Sequence, residues 1–155
     1  MKMCLRVAVM IALTGALCGC PEGKRPFKIV QLCLGDQKNL TQFANILKSV
    51  AQSESMAFID GSASTARDLK EIGVKIDPSA PIINLGVERK DGMGLIAGNL
   101  GLPNYQVALG FSEGSDSAEA HRFADTVVRK VSEQWHVLVV PAGRGALPLT
   151  TCNEQ

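Results

Sequence analysis

Apolar side chains run through this chain in short bursts, broken at two places by longer series at helical spacing. Residues 27–34 read FKIVQLCL, apolar on both parities, and Gly35-Asp36 ends the run. This predicts a central strand, because a strand covered on both faces has no polar alternation to show. Leu40, Phe43, Ala44, Leu47, Val50 and Ala51 then recur three and four residues apart, on one stripe of a helix over 40–51. Asn39 is the candidate N-cap, with Gln42 three residues on in a capping-box arrangement.

Residues 55–60 (SMAFID) predict a second strand, closed by Gly61. Ser64 is placed to cap a short helix over 65–72, with Leu69 and Ile72 inward and Gly73 as its stop. Asp77-Pro78 breaks regular structure in 74–80. Two apolar runs, 81–89 and 93–99, are joined by Lys90-Asp91-Gly92. Asp-Gly between strands signals a hairpin, since the turn requires positive φ and glycine adopts it without steric cost. A turn over 101–104 leads to a strand over 105–111. Ser117 then caps a second long helix, whose apolar face carries Ala120, Phe123, Ala124, Val127, Val128 and Val131. The last strand is 135–140 (WHVLVV), followed by a tail with Gly143 and Gly145.

The order is strand, helix, strand, short helix, three-strand meander, helix, strand. It predicts an α+β fold with a mixed, largely antiparallel sheet and two main helices on one face. The order resembles a ferredoxin-like β-α-β-β-α-β core with an inserted short helix and one extra strand. A likeness of fold implies no activity.

The first twenty residues, MKMCLRVAVMIALTGALCGC, follow a different grammar. Lys2 and Arg6 make a basic front, Val7 to Leu17 is uncharged and apolar, and Leu17-Cys18-Gly19-Cys20 closes the run. These three parts make a secretory signal. Its end resembles the lipobox of bacterial lipoprotein signal peptides. The resemblance implies cleavage before Cys20 and lipidation of that cysteine with diacylglycerol and usually a third acyl chain. A plain secretory signal or a structural helix remain the alternatives, but the run is shorter than the roughly 20 apolar residues of a membrane span. On this reading residues 1–19 are signal, 20–26 the lipidated cysteine and linker, and 27–155 one globular domain. The protein is then held in the bacterial cell envelope, facing the periplasm from the inner or the outer membrane.

Removing 19 of 155 residues leaves 136, enough for one domain with its own core. Lys2 and Arg6 leave with the signal, so 16 basic residues become 14 against 15 acidic ones. Near-neutrality argues against a nucleic-acid partner, which calls for a basic surplus. Of the five cysteines, Cys4 and Cys18 leave and Cys20 takes lipid, so Cys33 and Cys152 remain as a candidate disulfide in an oxidising compartment. The alternative is a buried thiol at Cys33 and an unpaired tail residue at Cys152. No C-x-x-C or Cys/His cluster occurs, so no metal and no cofactor is expected.

The sharpest chemical motif is Gly110-Phe111-Ser112-Glu113-Gly114, which matches the G-x-S-x-G of a nucleophile elbow. A serine nucleophile needs a base and a group to orient it, and the only histidines are His121 and His136. A glycine-flanked turn explains the motif as well, so no catalytic residue is assigned and Ser112 with His136 stays the hydrolase alternative. Arg144, between Gly143 and Gly145, is a candidate partner-binding residue, since a loop guanidinium can fork onto a carboxylate. The resulting expectation is a lipid-anchored module that binds an envelope protein, as an inhibitor, an immunity-type protein or an assembly factor. Its contacts are sought on the irregular segments 61–80 and 141–155. A serine hydrolase and a periplasmic small-ligand binder are the alternatives.

Overall fold

A computed structural model describes residues 25–76, 80–99, 105–141 and Cys152. Within them lie strands β1 (Lys28–Cys33), β2 (Ala57–Asp60), β3 (Asn84–Glu88), β4 (Met93–Gly98), β5 (Gln106–Glu113) and β6 (Val137–Val140). The helices are α1 (Gln37–Ser53), α2 (Ser62–Glu71) and α3 (Ser117–Ser132). The fold is α+β, as the order of elements predicts.

One sheet holds all six strands in the order β2-β3-β4-β5-β1-β6. Every neighbouring pair is antiparallel, so the sheet is not mixed. The reason lies in the crossovers. β1 and β2 run the same way but three strands separate them, and β5 and β6 run the same way with β1 between. These split β-α-β units belong to the ferredoxin-like pattern, with the hairpin β3-β4 inserted between β2 and β5. Two strands are therefore extra, not one.

Both long helices start earlier than their apolar spacing indicates. Asp36, not Asn39, caps α1: its Oδ1 accepts from the Asn39 backbone N–H at 2.7 Å, and the Asn39 amide donates to the Leu34 carbonyl at 2.6 Å. Asp116, not Ser117, caps α3 through the Glu119 N–H at 2.9 Å. At both sites a carboxylate meets the positive end of the helix dipole, which a neutral side chain does less well. The short helix α2 starts at Ser62, with Gly61 as a cap that has no side chain to offer.

Directly paired residues share a face of the sheet, and the two faces differ. Val30, Leu32, Leu95, Leu109 and Phe111 are buried against Phe43, Leu47 and Val50 of α1 and Phe123, Val127 and Val131 of α3. Phe111 meets Phe123 edge-on at 6.3 Å, and Phe43 meets Trp135 likewise at 6.0 Å. Each such side chain contributes roughly 1.5–3 kcal/mol by burial. The Asp91-Gly92 hairpin forms as predicted, with Gly92 at φ +88° and the Arg89 N–H donating to the Met93 carbonyl at 2.9 Å. Cys33 is disulfide-bonded to Cys152, with Cα atoms 5.6 Å apart.

Candidate functional site

The register places a continuous row across the face that α1 and α3 leave uncovered: Ile59, Gly86, Ile96, Gly110, Ile29 and Val140, one from each strand. Its two ends differ. Val140, with Gln31 and Gln106 on the same side, is buried. Ile59 and Ile96 are 44% and 66% exposed. Isolated exposed aliphatics are ordinary, but here a glycine between two isoleucines leaves both flanks open. The chain enters β1 across this face, for a Cβ on Gly110 would lie 3.1 Å from the Pro26 ring.

Next to Ile96 the face deepens into a groove of about 570 Å3. Gly98 and Asn84 are at its floor, the Thr65 and Leu69 side of α2 forms one wall, and Val74, Lys75, Ile76, Ala80, Ile82 and Ile83 complete it. α2 is held there by polar bonds. Asn84 Nδ2 donates to Thr65 Oγ1 at 2.8 Å, and the Ser62 hydroxyl accepts from the Asn84 N–H at 3.1 Å. Asn99 closes the far end, accepting from the Ile83 N–H at 3.0 Å and donating to the Pro81 carbonyl at 2.6 Å. None of the ten residues of α2 is buried. A helix this short is marginal without packing, so its apolar side stands over an incompletely filled space.

A second cluster lies at the β3–β4 hairpin and is fully engaged in holding α3. Arg89 donates from Nε to Asp91 at 2.9 Å and from Nη1 to Glu119 at 2.7 Å. Asp91 also accepts from the Ser115 hydroxyl at 2.7 Å. The Arg89 guanidinium, and then the Ser115 hydroxyl, hold the Asp91 carboxyl far below its ordinary range. Arg89 lowers Glu119 as well. Lys28, at 2.7 Å from Asp125, lowers that carboxyl in the same way. All three shifts come from partners already paired, the signature of structural clasps rather than of an acid–base site.

The hydrolase residues are not brought together. β5 continues to Glu113, so Ser112 stands inside a strand opposite Gly94 and not on a strand-to-helix elbow. Val137 pairs with Leu32 and Phe111 with Lys28, so continuing each register by one residue sets His136 level with Cys33 and Ser112 level with Phe27. Six positions of the chain through β1 separate the two, or roughly 20 Å at strand rise. His121 is on α3, ring to ring with Phe27 at 4.4 Å and 3.7 Å from Glu113. It sits across the sheet from Ser112. Among the described residues no group of three His, Cys, Asp or Glu side chains is placed to hold a metal, and no helix is long and apolar enough to cross a membrane.

Cys20 and Arg144 lie outside the described residues, as does most of the segment 141–155 expected to make contacts. The described part of segment 61–80, where contacts are expected, supplies helix α2, in line with the short helix its spacing predicts over 65–72, and one wall of the groove. Ile59, Ile96 and Ile82 are not singled out by the sequence, and Leu69 is read there only as an inward position of the short helix. The one available signal was Gly94, Ile96 and Gly98 falling on the same parity of β4. No protein-family model matches the chain, and no curated protein matches it.

Proposed function

We propose that the protein is an envelope lipoprotein, anchored through Cys20, that binds a protein partner with the uncovered face of its sheet. It serves as an inhibitor, an immunity-type protein or an assembly factor. The observation that carries this is the exposed pair Ile59 and Ile96, set in one row on the side from which the chain enters β1. Pro26 follows Cys20 by six positions, a reach of about 20 Å when extended. A lipid on Cys20 thus confines this face near the bilayer and raises its effective concentration toward a partner working there. Arg144 remains a contact expected from sequence.

The test is a photoreactive benzoylphenylalanine in place of Ile59, in full-length protein in living cells, with Lys48 on α1 as the control position. A discrete protein adduct at 59 and none at 48 is the expected result. Identical adducts at both positions, or steady turnover of a small substrate by the protein, would remove the binding reading. Cys20→Ser should separately abolish acyl labelling; continued labelling would remove the anchor and leave the face untouched.

A further inference from the structure

We infer that the groove under α2 is a binding site for a fatty acid, a single alkyl chain ending in a carboxylate. Its lining is aliphatic, from Leu69, Val74, Ile76, Ile82 and Ile96, with no aromatic ring among the described residues to stack on a planar ligand. The polar groups that touch it are committed elsewhere, Asn84 to Thr65 and Asn99 to the backbone of Pro81 and Ile83. The ligand body is therefore selected for the absence of hydrogen-bonding groups. An unpaired polar group pressed against these walls is strongly disfavoured. Lys75 is the single charged residue of the lining among the described residues. It makes no ion pair among the described residues. An aliphatic slot lined, among the described residues, by one cation without an ion pair matches an alkyl carboxylate and matches neither a phosphorylated nor a sugar-like ligand. The groove's volume, about 570 Å3, falls within the roughly 300–1,000 Å3 of small-molecule sites.

The packing of α2 supports the same conclusion. Its ten residues include none that is buried, whereas α1 and α3 bury four and five. An alkyl chain beneath α2 supplies the apolar contact that the helix lacks. This inference does not depend on the protein-partner reading: the groove meets the exposed row only at Ile96, and its walls come from α2 and from residues 74–76, 80, 82 and 83.

The experiment uses full-length protein in isolated envelope membranes and a palmitic-acid analogue carrying a diazirine and a terminal alkyne. After irradiation, adducts are mapped by digestion. The expected result is labelling on peptides containing Leu69, Ile76 or Ile82, competed by unlabelled palmitate. Lys75→Glu is at an exposed position and leaves the fold intact. It should weaken labelling at limiting probe by roughly three- to tenfold, the effect of exchanging an exposed attraction for a repulsion, while Lys75→Arg retains it. Leu69→Asp should remove labelling at the groove, with circular dichroism confirming the fold. Adducts scattered over the surface, labelling not competed by palmitate, or protection of the groove only by a bound polypeptide would overturn the proposal. Label at Cys20 that forms without irradiation reports lipidation alone, and Cys20→Ser removes it without altering the groove adduct.

Discussion

The two faces of one sheet are built on opposite rules. Toward the long helices one row reads Phe58, Val87, Leu95, Phe111 and Lys28, large beside large. The adjacent row on the other side reads Ile59, Gly86, Ile96, Gly110, Ile29 and Val140, with glycine alternating against isoleucine over its exposed half. Large neighbours interdigitate with side chains from α1 and α3 and make a dense core. Alternate glycines make a shallow, smooth surface that cannot pack a helix tightly but admits Pro26 onto Gly110. The comparison teaches that hydrophobic content alone does not define a core. Apolar residues stand on both faces, and the size sequence along each row decides which is filled from within.

The disulfide should show the largest effect, because it ties the end of the chain to the uncovered side through Cys33. The sequence separation is 119, and closing such a loop stabilises by about 4–5 kcal/mol if the gain is chain entropy. Cys152→Ser should lower the urea midpoint accordingly, and added reductant should bring wild type to the same midpoint. Wild type unaffected by reductant would show that the bond adds nothing to stability.

The contrast between faces is tested most directly by truncating one residue on each. Phe111 is fully buried, and Phe111→Ala should cost about 3–5 kcal/mol. Ile96→Ala, on the other face of the neighbouring strand, should change stability by about 0.5 kcal/mol or less. Similar losses at both sites would mean that the uncovered face is not a free surface.

Two glycines within the uncovered face should also part company. A Cβ at Gly94 would lie 2.2 Å from the Val87 carbonyl oxygen, which is backbone and cannot swing aside. Gly94→Ala should therefore cost about 1–3 kcal/mol, as overpacking does. At Gly86 the nearest atom to a new Cβ is that of Ile59 at 3.7 Å, an ordinary contact. Gly86→Ala should be nearly neutral in thermal melting, and equal losses would refute the geometric distinction.

The smallest effect belongs to the polar seam that joins the hairpin to α3. Asp91 has its folded-state pKa lowered by Arg89 and Ser115. Its contribution is thus present above the unfolded value of roughly 3.9 and lost as pH falls below it. The melting temperature of wild type should drop on acidification from about pH 5 to pH 2. Asp91→Asn should start lower at neutral pH and drop less over that window. Parallel curves would show that the Arg89–Asp91 pair is too well solvated to matter.

Much of this architecture is legible in the residues themselves. Spacing along α1 and α3 identifies the buried stripes, because a helix carries its own period and keeps it wherever it docks. Asp91-Gly92 specifies its turn through the conformational freedom of glycine, and Cys33 and Cys152 are left as partners once Cys4, Cys18 and Cys20 are assigned to the expected signal and anchor. Caps are less legible: Asp36 and Asn39 are both good candidates, and only the path of the chain leaving β1 chose between them. Strand order and facing are not local properties at all. MGLIAG is apolar on both parities, and only its register against β3 and β5 sends Leu95 inward and Ile96 outward. The same pairing puts Ser112 and His136 at opposite ends of β1, a separation that no motif encodes. The groove arises where α2, β3 and β4 meet without filling the space between them, and packing between distant segments exists only once the chain has folded.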